Sequence, residues 1–236
     1  MLTSFLRPVR REFVLLFVVI ALALGLGRLW AFDGTDWVWL ALVLTIVAFT
    51  YAATNWPALY AIDVPARTWI RQALITAAGW SVVLAAIETI VANVMQHRNP
   101  YYSFYDWFLV THGPVDHIDL NGEPYVLEGA GITFGTVAWS FTLTWIAFFV
   151  LAFLGIAVGL SLRRWPQLFS LILTSIVGFF LAAAVVYMMY WTPKQWLGDP
   201  NTAEAPIRLG MILVAAVVPL LAAAWVLRRN LRNPWG

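Results

Sequence analysis

Glu88 is the residue whose setting first asks for a chemical explanation. It stands in the apolar run Val82 to Met95 with no other acid beside it. A charge at bilayer depth costs at least about 2.5 kcal/mol on insertion scales, so such groups face a bundle interior or water and tend to serve transport. Glu88 lies only about two turns from the end of its run, which also suits a plainer role in a structural ion pair at the rim. Arg28 and Arg208 fall at comparable levels of their own runs and are its candidate partners. A second candidate is the line Thr136, Ser140 and Thr144, whose four-residue spacing puts three hydroxyls on one helix face. In lipid such hydroxyls usually bond back to their own helix or across to a neighbour, at about 0.6 kcal/mol per interhelical contact. The sharper alternative is a polar lining, so Glu88, Thr136, Ser140 and Thr144 are the candidate translocation residues.

The remaining inventory is thin. His112, His117 and Asp119, with His97 further back, carry metal-ligating groups, but their spacing matches no standard zinc site and no metal is expected. There is no cysteine, hence no thiolate ligand, disulfide or cysteine nucleophile. No Walker sequence, metalloprotease helix motif or serine elbow occurs. The expectation is a chain that is not an enzyme by itself and binds no cofactor of its own.

The elements that must position these residues follow from hydropathy. The chain is 62% hydrophobic and 11% charged, with mean hydropathy +0.80, against about 45–50% apolar and about 25% charged in soluble domains. Six bilayer-length runs occur, at about 13–31, 37–60, 72–95, 134–161, 167–191 and 207–227. They are continuously apolar, without the alternation of barrel strands, so helices are expected. The fold class is therefore all-α: one polytopic domain over 1–236, with six transmembrane helices. Asn55 and Pro57 predict a kink or early stop at the end of the second. The apolar run Phe13 to Leu26 reads as a span, because no clear small-residue cleavage site follows it. The stretches between spans are too short for an ATPase, so any energy source lies on another chain or in a gradient.

Orientation follows from the basic residues. Ten of the fourteen, Arg7, Arg10, Arg11, Arg67, Arg71, Arg163, Arg164, Arg228, Arg229 and Arg232, fall at the termini and in the second and fourth connections. The other side carries four, against nine acids from Asp33 to Glu204, among them Asp106. Both termini are accordingly placed in the cytoplasm. Thirteen of the fourteen basic residues are arginine, a bias that points to a GC-rich bacterial genome and so to a bacterial cytoplasmic membrane. No internal repeat relates the two halves, which counts against an inverted-repeat transporter.

Three connecting segments are singled out. Leu2, Phe5, Leu6 and Val9 recur at helical spacing among Arg7, Arg10 and Arg11, which predicts a short helix on an anionic inner leaflet. In the turn Ala61 to Arg71, a helix beginning after Pro65 would align Asp63, Arg67 and Arg71 and leave Ile62, Trp69 and Ile70 to pack elsewhere. The outer connection 96–133 clusters Tyr101, Tyr102, Phe104, Tyr105, Trp107 and Phe108, expected at the headgroup level. Gly155 and Gly159 form a small-xxx-small pair that lets another helix approach closely.

The basic amino-terminal segment, the arginine turn Pro65 to Arg71, the stretch Phe148 to Pro166 and the ending Trp225 to Arg232 together resemble the membrane permease of an ABC-2 type transporter. The resemblance spans nearly the whole chain in architecture and involves no catalytic motif. It implies pairing with a second permease chain and with two ABC ATPase subunits, which would hold ATP and Mg. The family's docking helix would fall on Ile62 to Arg71, with Ile62, Asp63, Arg67, Trp69 and Arg71 as docking residues. Its interfacial helix would fall on Leu2 to Arg11. The substrate implied is hydrophobic, amphipathic or peptide-like, and membrane lipid is a partner but nucleic acid is not. One departure stands out: the larger outer loop lies between spans three and four, whereas lipid-exporting members elaborate the connection between five and six. Two other readings come from different classes: a non-transporting assembly or sensor subunit acting through the outer loop, and a gradient-driven transporter or intramembrane enzyme using Glu88.

Overall fold

A segment inside lipid must satisfy its own backbone hydrogen bonds, and the apolar runs do so as helices. The computed structural model describes residues 5–30, 34–118, 121–162 and 205–232. The chain runs α1 (Arg10–Leu22), a π-helical turn (Ala23–Gly27), α2 (Arg28–Trp30), α3 (Gly34–Ala53), α4 (Trp56–Ala61), α5 (Ala66–Arg98), a hairpin of β1 (Val115–Ile118) and β2 (Pro124–Leu127), α6 (Phe134–Ser161) and α7 (Ala205–Arg232). Among the described residues, four helical stretches are long and apolar enough to cross a membrane: Arg10–Trp30, Thr35–Ala61, Ala66–Arg98 and Phe134–Ser161. The protein is mostly helical and crosses the membrane several times. The expected span 167–191 lies outside the described residues. The one at 207–227 falls within α7, whose Ala205–Val214 portion is apolar. An all-α reading omits the hairpin, which pairs antiparallel with Asp116 opposite Val126.

Helix α6 is the hub, packed against α3, α5 and α7. Its close approach to α3 depends on glycine. A Cβ on Gly155 would stand 2.7 Å from the Ile46 carbonyl oxygen, and one on Gly159 would collide with the Thr50 carbonyl and Ala53 Cβ. Thr50 then donates its hydroxyl to the Gly155 carbonyl at 3.1 Å, tying the two backbones together. The helix starts at a reciprocal cap in which Thr133 and Thr136 each bond the other's backbone N–H.

At the arginine-bearing end, the early stop expected at Pro57 is present: α3 ends at Ala53 and α4 restarts with Pro57 in its first turn. Helix α5 begins right after Pro65. There is thus no separate docking helix over Ile62 to Arg71. Residues 66–71 are the first turns of the spanning helix, and Asp63 sits outside it at φ 58, so only Arg67 and Arg71 share a ridge. The amino-terminal expectation also needs correction. Residues 5–9 form turns and the helix starts at Arg10, because Pro8 disfavours helical backbone at Arg7. Phe5, Leu6 and Val9 turn into the bundle, where the Phe5 ring lies 5.4 Å from Trp69 and 6.1 Å from Phe49. Trp69 in turn contacts Trp56 at 4.9 Å.

Candidate functional site

The other end of the bundle is organised around Arg28, which is fully buried. Ile20, Leu24 and Arg28 are successive inward residues spaced by four. On an ideal helix of 3.6 residues per turn such a series drifts around the axis. The wider π turn over Ala23–Gly27 offsets that drift and keeps Arg28 facing the bundle. Gly27 helps, since a Cβ there would press on the Trp37 ring at 3.1 Å.

Each of the three guanidinium nitrogens of Arg28 makes a hydrogen bond. Nη1 donates to Glu88 Oε1 at 2.5 Å, Nη2 donates to Asp106 Oδ2, and Nε donates to the Tyr102 hydroxyl at 3.1 Å. The cation also lies 5.7 Å from the Tyr102 ring centroid. Thr144 donates to the second Glu88 oxygen at 3.0 Å. Burial, followed by the neighbouring Asp106 carboxylate, pushes the Tyr102 phenol well above its ordinary range, so it stays a neutral partner. Glu88 and Asp106 are themselves fully enclosed. Removing one member of such a set strands a buried charge, which is why the members stand or fall together.

Asp106 enters from the connection after α5, whose 106–111 stretch is not a surface loop. Asp106, Phe108, Leu109, Val110 and Thr111 are all buried, so each backbone polar group there needs a partner inside the protein. The partners come from several elements. Asp106 Oδ1 accepts from the N–H groups of Phe108 and Leu109 at 3.0 and 3.3 Å. Thr35 of α3 bonds the backbone of Tyr105 and Trp107. Ser140 of α6 accepts from Val110 N–H at 2.9 Å. Arg208 of α7 donates to the carbonyls of Trp107 and Leu109 at 2.8 and 3.2 Å. Further along, Gln96 donates to the carbonyls of Pro100 and Ala130 and accepts from Ser103 N–H, clamping both roots of the connection.

The chain matches no family model, no curated protein and no solved structure. What the site does is therefore read from its own geometry. Both oxygens of Glu88 and both of Asp106 are engaged, so the arrangement is a clasp: it joins α2, α5 and α6 to the inserted loop.

The structure brings Glu88 and Thr144 together and places Ser140 beside the loop. The hydroxyl line shares one buried face as expected, and its members also bond back along the helix: Ser140 to the Thr136 carbonyl and Thr144 to the Ser140 carbonyl, each at 2.9 Å. Of the two candidate partners for Glu88, Arg28 is the one that pairs, while Arg208 holds the loop. Among the docking candidates, Ile62, Asp63, Arg67 and Arg71 are exposed and Trp69 is buried at the opposite end. Among the described residues no three histidine or acidic side chains converge as a metal site. Instead His117 lies between the rings of Tyr101 and Tyr125; Asp119 lies outside the described residues. Sequence reasoning missed Asp106, grouping it with the outer acids. The signal was its neighbourhood, because Trp107-Phe108-Leu109-Val110 is an apolar run too short to span, as expected of an inserted segment.

Proposed function

We propose that this chain is the permease subunit of an ABC-2 type transporter in a bacterial cytoplasmic membrane, with six spans and both termini inside. It pairs with a second permease chain and exports a hydrophobic, amphipathic or peptide-like substrate. The driving ATP, with Mg, is bound and hydrolysed by partner ATPase subunits, so the chain is not an enzyme by itself.

The observation that supports this reading best is the construction of the arginine-bearing end. Phe5, Trp56 and Trp69 interlock beneath it, while Arg67 and Arg71 stand exposed, with no ion pair or hydrogen bond to another described side chain. A stiff apolar base under unspent charge suits the docking of a soluble subunit, since complementary charge speeds encounter and sets register. Helix α5 carries Arg67 and Arg71 near its start and Glu88 22 residues beyond Ala66, toward the other end. A displacement imposed by the ATPase would travel along that single helix to the clasp.

The test is an affinity pull-down of the chain in mild detergent, followed by mass spectrometry and an ATPase assay, with Arg67→Glu/Arg71→Glu as the paired control. Recovery of a nucleotide-binding subunit that the double variant loses is the expected result. A chain that purifies alone and without ATPase activity refutes the reading. One observation favours the assembly or sensor alternative: the hairpin presents Ile118 and Val126, 65% and 54% exposed, on a connection whose roots Gln96 and Asp106 anchor.

A further inference from the structure

At the arginine-bearing end of α1 an open groove is lined by Arg7, Arg10, Arg11 and Glu12 on its polar side and by Val14 and Leu15 on its apolar side. Three guanidiniums face one carboxylate there, and none of the three makes an ion pair or hydrogen bond with another described residue. From the groove the same helix face continues through Arg11, Leu15, Val18 and Leu22 at three- and four-residue steps. Leu15 and Leu22 are 57% and 52% exposed, so the strip from Leu15 to Leu22 is left open by the described residues.

We propose that this groove seats the phosphate of an acidic phospholipid, with one acyl chain lying along Leu15, Val18 and Leu22. The guanidinium fork matches phosphate oxygens in pairs, and the strip below it is apolar for about 10 Å, roughly two thirds of one leaflet's hydrocarbon depth of about 15 Å. The order along the membrane normal, cation first and apolar strip after, is the order of a lipid. A soluble anion would use the arginines and leave the strip unaddressed. A second copy of the chain docked by two-fold symmetry on this face would bring its own arginines to the same level, setting like charges against each other. The inference needs only α1 and its groove and does not rest on the transporter reading.

The experiment is native mass spectrometry of the full chain in mild detergent, titrated with phosphatidylglycerol or phosphatidylcholine. The wild type should retain one phosphatidylglycerol per chain in preference to phosphatidylcholine, and salt should weaken the retention. Arg7→Gln/Arg10→Gln/Arg11→Gln should lower it at least about tenfold, three arginines at an anionic headgroup being worth on the order of a hundredfold before screening. Arg67→Gln/Arg71→Gln, which removes charge at the same end but outside the groove, should leave it unchanged. Equal retention of the two lipids by the wild type overturns the proposal, a result that does not depend on the triple variant folding. So does displacement of the lipid by millimolar glycerol phosphate, which would mean a site for the anion alone, and so does a chain that dimerises through this face and retains no lipid.

Discussion

At one end of the bundle Arg28 is wholly buried and divides its guanidinium among Glu88, Asp106 and Tyr102; at the other, five arginines stand exposed beside an aromatic interlock and spend no charge on the rest of the described chain. The two ends share helix α5 and differ in what their charges are for. Charge enclosed in protein holds structure together, because stripping away one member leaves its partner without water. Charge left in solvent contributes little to folding and remains available to something outside the chain. The difference divides the residues named from sequence: Glu88 and Thr144 belong to the internal clasp, Arg67 and Arg71 to the outward-facing end.

The strongest way to break this comparison is Arg28→Met. It leaves two buried carboxylates facing each other and should cost about 3–5 kcal/mol in unfolding free energy, read as a lowered midpoint in detergent. Replacing all three charges, as Arg28→Met/Glu88→Met/Asp106→Leu, should recover part of that loss; a single variant no less stable than the wild type would refute the clasp. A pair of substitutions at Asp106 sharpens the picture. Asp106→Asn keeps an oxygen for the Phe108 and Leu109 N–H groups, whereas Asp106→Ala removes it. The alanine variant should be the less stable by about 1–3 kcal/mol and the more open to limited proteolysis within 105–115. Equal cleavage of the two variants would mean that the loop is held without Asp106.

The neutral seam between the ends comes next. Gly159→Val pushes a side chain into Thr50 and Ala53 and should cost about 1–3 kcal/mol, lowering the midpoint without altering partner capture per folded molecule. Smallest in stability is Arg67→Glu/Arg71→Glu, which should leave the unfolding midpoint in place while abolishing capture of the proposed ATPase partner. If that double variant unfolded as readily as Arg28→Met, the contrast between the two ends would disappear.

Much of the fold is local and was legible. Bilayer-length apolar runs become helices because nothing else satisfies a backbone in lipid; Pro57 and Pro65 mark a break and a start; Gly155 and Gly159 announce close packing. The amino-terminal segment was half legible. Phe5, Leu6 and Val9 were read correctly as acting together, while Leu2 lies outside the described residues; that they pack as turns against protein and not as a helix on lipid depends on Phe49 and Trp69, which lie far along the chain.

By itself the sequence determined that the long apolar runs among the described residues are helical, where the charge collects and that Glu88 is buried, because these follow from the cost of exposing backbone and charge to hydrocarbon over a few consecutive residues. Only the tertiary structure decided that Arg28 and not Arg208 answers Glu88, and that Asp106 returns across 78 residues to complete the clasp. Those choices rest on how each helix is rotated about its axis, which the π turn before Arg28 and the glycine contact of α6 with α3 set together. A rotation shared among packed helices belongs to no single segment.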